Sequence, residues 1–178
     1  MNTLEAINAR KSIRSYTGQP ISDKQLDAVL LAANAAPVGM GRYDAVHLTV
    51  ITNEELLAGI EQAGAKLFGK PDLHPLYGAP TLVLVSATLT GDAAADNVAY
   101  SNAACIVQNM SLAAVELGVG SVHIWGAIRG LVQDEALVAK LGLPEGFTPC
   151  CAIALGVTEE TYAPREVPAD RIARTTIA

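Results

Sequence analysis

Asp96–Gly126 reads DNVAYSNAACIVQNMSLAAVELGVGSVHIWG, and this stretch decides the architecture. From Asp96 to Leu117 the residues Val98, Ala99, Ala103, Ala104, Ile106, Val107, Met110, Leu112, Ala113 and Val115 run nearly all round a helical cylinder. A helix apolar on every side is buried on every side. That burial is hard to arrange in 178 residues without a second subunit. Gly118 follows the last apolar turn and reads as the left-handed residue of a helix C-cap. Ser121–Ile124 is then a short strand, and Gly126 opens a turn into a further helix. A dinucleotide fingerprint has the reverse order, strand to glycines to helix, so Gly118-Val119-Gly120 is not one. Instead, the strand end His123-Ile124-Trp125-Gly126 offers backbone N–H groups beside a glycine, where a flat heterocycle could come close. Trp125 reads equally well as a core anchor.

Upstream, Thr3–Ala9 reads as a short helix with Thr3 as N-cap and Leu4 and Ile7 facing inward. Ser22-Asp23-Lys24-Gln25 is a capping box opening a helix through Leu26, Val29, Leu30 and Ala33. Val46–Thr52 reads as a strand, and Asn53 caps a helix reaching Lys66. Residues 66–80 hold Gly69, Pro71, Pro75, Gly78 and Pro80, a breaker-rich stretch that reads as a loop or lid. Thr81–Ala87 is a continuous apolar run, the mark of a strand covered on both faces. Downstream come a short helix over Asp134–Leu141 and a buried strand over Cys150–Val157. The tail from Tyr162 is polar, with no clear core face. Helices and buried strands interleave without a repeat or linker, so the class is mixed α and β, one domain over 1–178.

Hydrophobic residues make up 51% of the chain and charged residues 17%, which excludes disorder and leaves apolar surface for a partner subunit. The net charge of −6 argues against nucleic acid or an acidic membrane as partner. No apolar run reaches the roughly 20 residues of a membrane span, and the opening MNTLEAINARKSI matches no export or import signal. The expected location is the cytoplasm. Cys105, Cys150 and Cys151 have no metal-ligand spacing, and adjacent Cys150 and Cys151 in a strand should project to opposite faces as small buried hydrophobes.

Against that acidic background the cluster Arg10-Lys11-Ser12-Ile13-Arg14 stands out. In an extended chain, alternation puts Arg10, Ser12 and Arg14 on one side and Lys11 and Ile13 on the other. Two guanidinium forks and a hydroxyl suit a phosphate ester. A solvated positive patch at a helix C-terminus has the same composition, and spacing does not choose between them. His47, His74 and His123 lie in unrelated settings, and no G-x-S-x-G elbow or P-loop occurs. A chain without nucleophile, metal cluster or acid–base dyad points to a cofactor that brings its own chemistry.

In order along the chain stand R-K-S-I-R-S-Y from Arg10, A-A-P-V-G-M-G from Ala35, G-A-P from Gly78, Q-N-M-S-L-A-A-V-E-L-G-V-G-S from Gln108 and a late A-L-G-V strand. Together, from Leu4 to about Arg171, they resemble the FMN-dependent nitroreductase family. The resemblance implies an α+β fold: a central, mostly antiparallel sheet flanked by helices, in an intertwined homodimer. Residues 1–16 would be the phosphate-binding segment, 66–80 the lid, and 158–178 a tail packing on the partner subunit. It implies an NAD(P)H-dependent oxidoreductase with FMN as cofactor. Nitroaromatic, quinone or flavin-like acceptors would be reduced by ping-pong hydride transfer through flavin N5, with no catalytic side chain.

Carried over by position, Arg10 is the phosphate-binding arginine, with Lys11 in the same basic segment. Ser12 bonds the phosphate or ribityl chain, and Arg14 stands by the ribityl chain and the N1/O2 edge. Pro37, Val38, Gly39 and Met40 pack on the flavin bound mainly by the other subunit. His123, Ile124, Trp125 and Gly126 form the segment behind the ring. Arg165 closes on the phosphate, and Asp72 or His74 would supply polar contacts to the pyrimidine edge. The family's A-P-S-x-x-N-x-Q-P-W is here Ala36–Ala45, with Gly41 in place of the Asn and no Trp, which leaves backbone and Met40 packing. A non-catalytic flavin carrier or sensor, and a cofactor-free helical dimer, are the competing readings.

Overall fold

Thr81–Thr88 lies in the middle of the molecule, as its unbroken apolar run predicts. In the computed structural model, which describes residues 1–177, the elements are α1 (Thr3–Ala9), α2 (Asp23–Asn34), β1 (Val46–Ile51), α3 (Glu54–Leu67), β2 (Thr81–Thr88), α4 (Ala93–Glu116), β3 (Gly120–Ile124), α5 (Gly126–Val132), α6 (Glu135–Ala139) and β4 (Phe147–Gly156). Two single 3₁₀ turns, Gly39–Gly41 and Tyr43–Ala45, lead into β1. The four strands form one antiparallel sheet in the order β1-β2-β4-β3.

The sheet divides the core in two. Val83, Val85, Ile153 and Leu155 face α2 and α4, packing on Val29, Ala33, Ile106, Val107 and Met110. Leu82, Leu84, Ala152 and Ala154 face α3, α5 and α6, packing on Leu57, Ile60, Ile128, Leu131 and Leu137. Strand alternation sends neighbouring residues of β2 and β4 into opposite cores.

Local signals set most boundaries. Ser22 and Gln25 form the reciprocal box at α2, and Asn53 accepts the Leu56 N–H at α3. Gly118, at φ +66°, closes α4 with the paired bonds Val119 N–H to Ala114 O (2.8 Å) and Gly118 N–H to Val115 O (3.2 Å). The long helix begins at Ala93 with Asp92 as cap, three residues before the expected start. Asp96 instead fastens the preceding turn, accepting the Thr90 and Gly91 N–H groups at 2.8 and 3.1 Å.

Several expectations are corrected. Asn2, not Thr3, caps α1, and Leu4 and Ile7 face outward, Leu4 with 72% of its surface exposed. The inward pair is Ala6 and Ala9, because α1 lies close against Val115 and small residues fit there. Within one chain α4 is not buried all round: Val98, Tyr100, Ala104 and Cys105 are exposed. Cys150 and Cys151 do not face opposite cores, and both pack against the α2/α4 cluster. A β-bulge is the reason: Val85 pairs with Cys151 and Ser86 with Pro149, so Cys150 is an extra residue on β4. The tail does have a core face at Tyr162, which packs on Ala6, Ala9 and Val115 and donates its hydroxyl to Val119 O at 2.8 Å.

Candidate active site

The basic cluster follows α1 as an extended strap along the free edge of β3 and the end of β4. Ile13 N–H donates to Ser121 O at 2.9 Å, Thr17 N–H to Val157 O at 2.9 Å, and Val157 N–H to Gln19 O at 3.1 Å. Tyr16 adds its hydroxyl to Ile13 O at 3.0 Å, and Thr158 donates to Ser15 O at 2.8 Å. Ile13 is fully buried, and Arg14, its neighbour, is exposed. Ile13 thus turns into the sheet while Arg14 turns out to solvent, as alternation requires of neighbours in extended chain.

Arg10 is the C-cap residue of α1, its N–H donating to Ala6 O at 2.9 Å. Its charge reaches the end of β3. The protein packed around His123, and after it the Arg10 guanidinium, hold that imidazole below its ordinary pKa, although the residue is exposed at the surface of the chain. Arg165 comes from the tail to the last turn of α1, donating from Nε to Asn8 O at 3.1 Å. Lys11 points to the tail, where its Nζ meets Glu160 Oε2 at 2.7 Å, so its charge is locally neutralised. Arg14 lies with its guanidinium carbon 5.7 Å from the centre of the Tyr77 ring.

The end of β3 and the loop after α3 enclose a cleft of about 330 Å³. His123, Ile124, Trp125, Gly126 and Ala127 form one wall, and Phe68, Lys70, Leu73, Pro75 and Tyr77 the other. A Cβ on Gly126 would lie 2.5 Å from Phe68 Cζ, so only glycine lets the loop's first aromatic lie against the strand end. Tyr77 has a left-handed backbone (φ +57°), and Gly78 follows at +74°. A non-glycine residue held there is strained, which marks a position fixed by its surroundings. Leu76 and Ala79, buried in the α3/α5 core on either side, do the fixing.

Sequence reasoning missed all five of the loop's cleft residues. Its breakers announced a loop but carried no period to say which side chains turn inward. Asp72 and His74, expected to face the cleft, are not in its wall. His74 is drawn to α3 instead, with Nδ1 3.3 Å from Glu61 Oε2, and Glu61 Oε1 also accepts the Leu76 N–H at 3.2 Å.

The Pro37–Met40 segment is not in this cleft. Val38 is buried in the α2/α4 core, and Gly39 donates its N–H to Asn102 Oδ1 at 2.9 Å. Met40, in left-handed conformation and 91% exposed, projects outward. Pro37 and His123 meet across α4 in a shallow hollow with Ala104, Cys105, Gln108 and Asn109. Among the described residues no group of three His, Cys, Asp or Glu side chains could hold a metal, and no helix is long and apolar enough to cross a membrane.

A family model described as the nitroreductase family matches residues 7–157. The NADPH-flavin oxidoreductase of Vibrio harveyi is 29% identical over 165 residues, covering 87% of this chain and 65% of that protein. The crystal structure of a nitroreductase with bound FMN from Desulfitobacterium hafniense DCB-2 aligns over 99% of this chain and 100% of its own, with TM-score 0.83 and 27% identity. A nitroreductase with bound FMN from Bacteroides fragilis NCTC 9343 gives TM-score 0.78 and 30% identity, over 99% of this chain and 100% of its own.

Proposed function

The chain belongs to the nitroreductase family, and from that premise we propose that it binds one FMN per subunit and works in the cytoplasm, as a homodimer, as an NAD(P)H-dependent oxidoreductase of small-molecule acceptors. The observation that supports this reading best is the pair of cations about the end of β3, Arg10, whose field reaches His123, and Arg14, which lies beside Tyr77 of the cleft wall, with Arg165 fastened to Asn8 two residues before Arg10.

The donor set fits a phosphorylated flavin. Arg165, fastened to Asn8, and Arg10 two residues on supply guanidinium donors for a phosphate, and the alternation of extended chain would bring the Ser12 hydroxyl to the side of Arg10. The exposed cation of Arg14 lies beside Tyr77 of the cleft wall, and positive charge near the cleft favours an electron-rich ring. The end of β3 forms a flat wall that admits close approach at Gly126. FMN held there would supply the hydride chemistry between a nicotinamide donor and a nitroaromatic, quinone or flavin-like acceptor. The chain's own contribution is to bind, orient and screen, and its one described His–carboxylate pair, His74 with Glu61, is not in the cleft wall.

Residues 1–178 form one nitroreductase-like domain in this reading. Residues 66–80 act as the lid; in the 158–178 tail Glu160, Tyr162 and Arg165 are fastened to their own chain, which leaves the stretch after Arg165 to clasp the partner, with Ala178 outside the described residues. Leu31, Met40, Tyr43, Val98 and Tyr100, all exposed on one chain, are the large apolar groups a partner would cover, and the Gly39 turn brings the Met40 segment against Val98 of α4. The outward projection of Met40 from the Gly39 turn supports a contact of the Pro37–Met40 segment with the partner's cofactor.

The test is an absorbance spectrum of purified protein from 300 to 500 nm, sedimentation, and anaerobic titration with NADH and NADPH. A yellow dimer bleached by either nucleotide and reoxidised by menadione is the expected result. A colourless monomer that takes up no FMN overturns the reading. A yellow protein that neither nucleotide bleaches is a flavin carrier instead.

A further inference from the structure

The loop after α3 closes mostly on itself. Leu73 N–H donates to Lys70 O at 3.0 Å, Tyr77 N–H to His74 O at 2.9 Å and Ala79 N–H to Leu76 O at 3.0 Å. Among the described residues, the side-chain hydrogen bonds that residues 70–79 make all go to one group, the Glu61 carboxylate of α3. Its Oε1 accepts the Leu76 N–H at 3.2 Å, and its Oε2 lies 3.3 Å from His74 Nδ1. Glu61 sits in the middle of α3, too far from either end to cap the helix, so both its oxygens serve the loop. Only 24% of its side chain is in solvent, which confines the carboxylate against that loop. α3 packs on the sheet face opposite α4, so the contact does not depend on what covers α4.

What the carboxylate holds is the turn His74–Tyr77. Pro75 lies against α3 one turn further on, where a Cβ on Gly64 would come within 3.0 Å of Pro75 Cγ. Leu76 is buried in the α3/α5 core, so it is fixed both at its side chain and at its N–H. Tyr77 follows at φ +57°, a conformation that a non-glycine residue keeps only where its surroundings impose it. Its ring lines the cleft and lies 5.7 Å from the Arg14 guanidinium carbon, within the roughly 6 Å of a cation–π contact. A line of contacts therefore runs from Glu61 through Leu76 to Tyr77 and Arg14.

We propose that Glu61 is a positioning residue for the flavin site: it holds the His74–Tyr77 turn, and so keeps the Tyr77 ring in the cleft wall with Arg14 beside it. The inference rests on the flavin reading for what the cleft binds, while the hold on Tyr77 belongs to the chain alone. The Leu76 N–H is the essential link, since this part-buried donor is left without a partner when the carboxylate is removed. His74, with 74% of its side chain in solvent, adds little to it. Glutamine keeps an acceptor for Leu76 and gives up the charge, which separates the hydrogen bond from the ion pair.

The experiment compares wild type, Glu61→Ala, Glu61→Gln, Tyr77→Ala and the double variant Glu61→Ala with Tyr77→Ala. Apoprotein is titrated with FMN by fluorescence, and exchange of the Leu76 amide is followed by NMR. Glu61→Ala should speed that exchange and weaken FMN binding, each roughly five- to tenfold, the scale of one lost hydrogen bond to a charged group. Glu61→Gln should recover most of both. The double variant should bind FMN no more weakly than Tyr77→Ala alone, because the carboxylate acts through that ring. An unchanged FMN Kd in Glu61→Ala, multiplied losses in the double variant, or no rescue by glutamine overturns the proposal. Should the alanine variant fail to fold, Glu61→Asp, one methylene short of the Leu76 N–H, takes its place under the same outcomes. If the wild type binds no FMN, the flavin reading has failed separately. Faster Leu76 exchange in Glu61→Ala of that colourless protein, with a Tyr77 Cα shift that leaves its left-handed value, would still support the hold on Tyr77. Two unmoved signals would refute it.

Discussion

β3 and β1 are the two edges of one antiparallel sheet, and the chain treats them in opposite ways. The β3 side is closed by the strap after α1, which donates from Ile13 to Ser121 and exchanges bonds with Val157 through Thr17 and Gln19. β1 has no strand on its outer side among the described residues, and Val50 there is partly exposed. The strapped edge is also where Arg10, Ser12 and Arg14 stand. One extended segment thus closes an edge with Ile13 and turns Arg14 outward, a division that follows from the two-residue period of extended chain, and the proposed function takes its polar residues as the binding face. The other edge holds no candidate site residue.

The hardest test of this contrast is Ile13→Ala. Ile13 is fully buried beneath the strap, and its truncation should cost about 2–5 kcal/mol, the usual range for an aliphatic core deletion, measured by urea unfolding. A loss under about 1 kcal/mol would mean that the sheet is stable without its strap. Next is Arg10→Ala, which should weaken FMN binding roughly 10- to 100-fold, corresponding to about 1.5–3 kcal/mol for hydrogen bonds to a charged group, while barely moving the melting temperature. Fluorescence titration against thermal unfolding separates the two effects, and a melting temperature that falls as far as that of Ile13→Ala would erase the proposed division of labour. The smallest effect belongs to Val50→Lys on the open edge. Stability should change by no more than about 0.5 kcal/mol and FMN affinity not at all. A large loss in urea unfolding there would show that β1, like β3, is a covered edge, with a segment from a second chain as the first candidate for the cover.

Legibility in the sequence followed the range of the interactions. Ser22 with Gln25, Asn53 and Gly118 act within a turn of themselves, so the ends they set were readable directly. The apolar run of β2 needed only its neighbours to declare a central strand. The second face of α4, by contrast, is apolar in composition and open in the single chain, because composition does not say which molecule covers it. The adjacent cysteines depended on a bulge, which arises from the register with β2 and leaves no mark on β4 alone. Asp92 and Asp96 are both suited to capping by type, and only the Thr90–Gly91 turn tells them apart.

The candidate site divides along the same line. The amino-acid order alone determined the cationic alternation of Arg10, Ser12 and Arg14 and the glycine-ended strand at Gly126, since both are periods or punctuation of the local backbone. Tertiary structure alone decided that Lys11 is taken up by Glu160, that His74 turns to Glu61, and that Tyr77 and Phe68 face the cleft. These are contacts made across sheet layers or along irregular loop, where side-chain direction is set by what lies opposite rather than by what comes next in the chain.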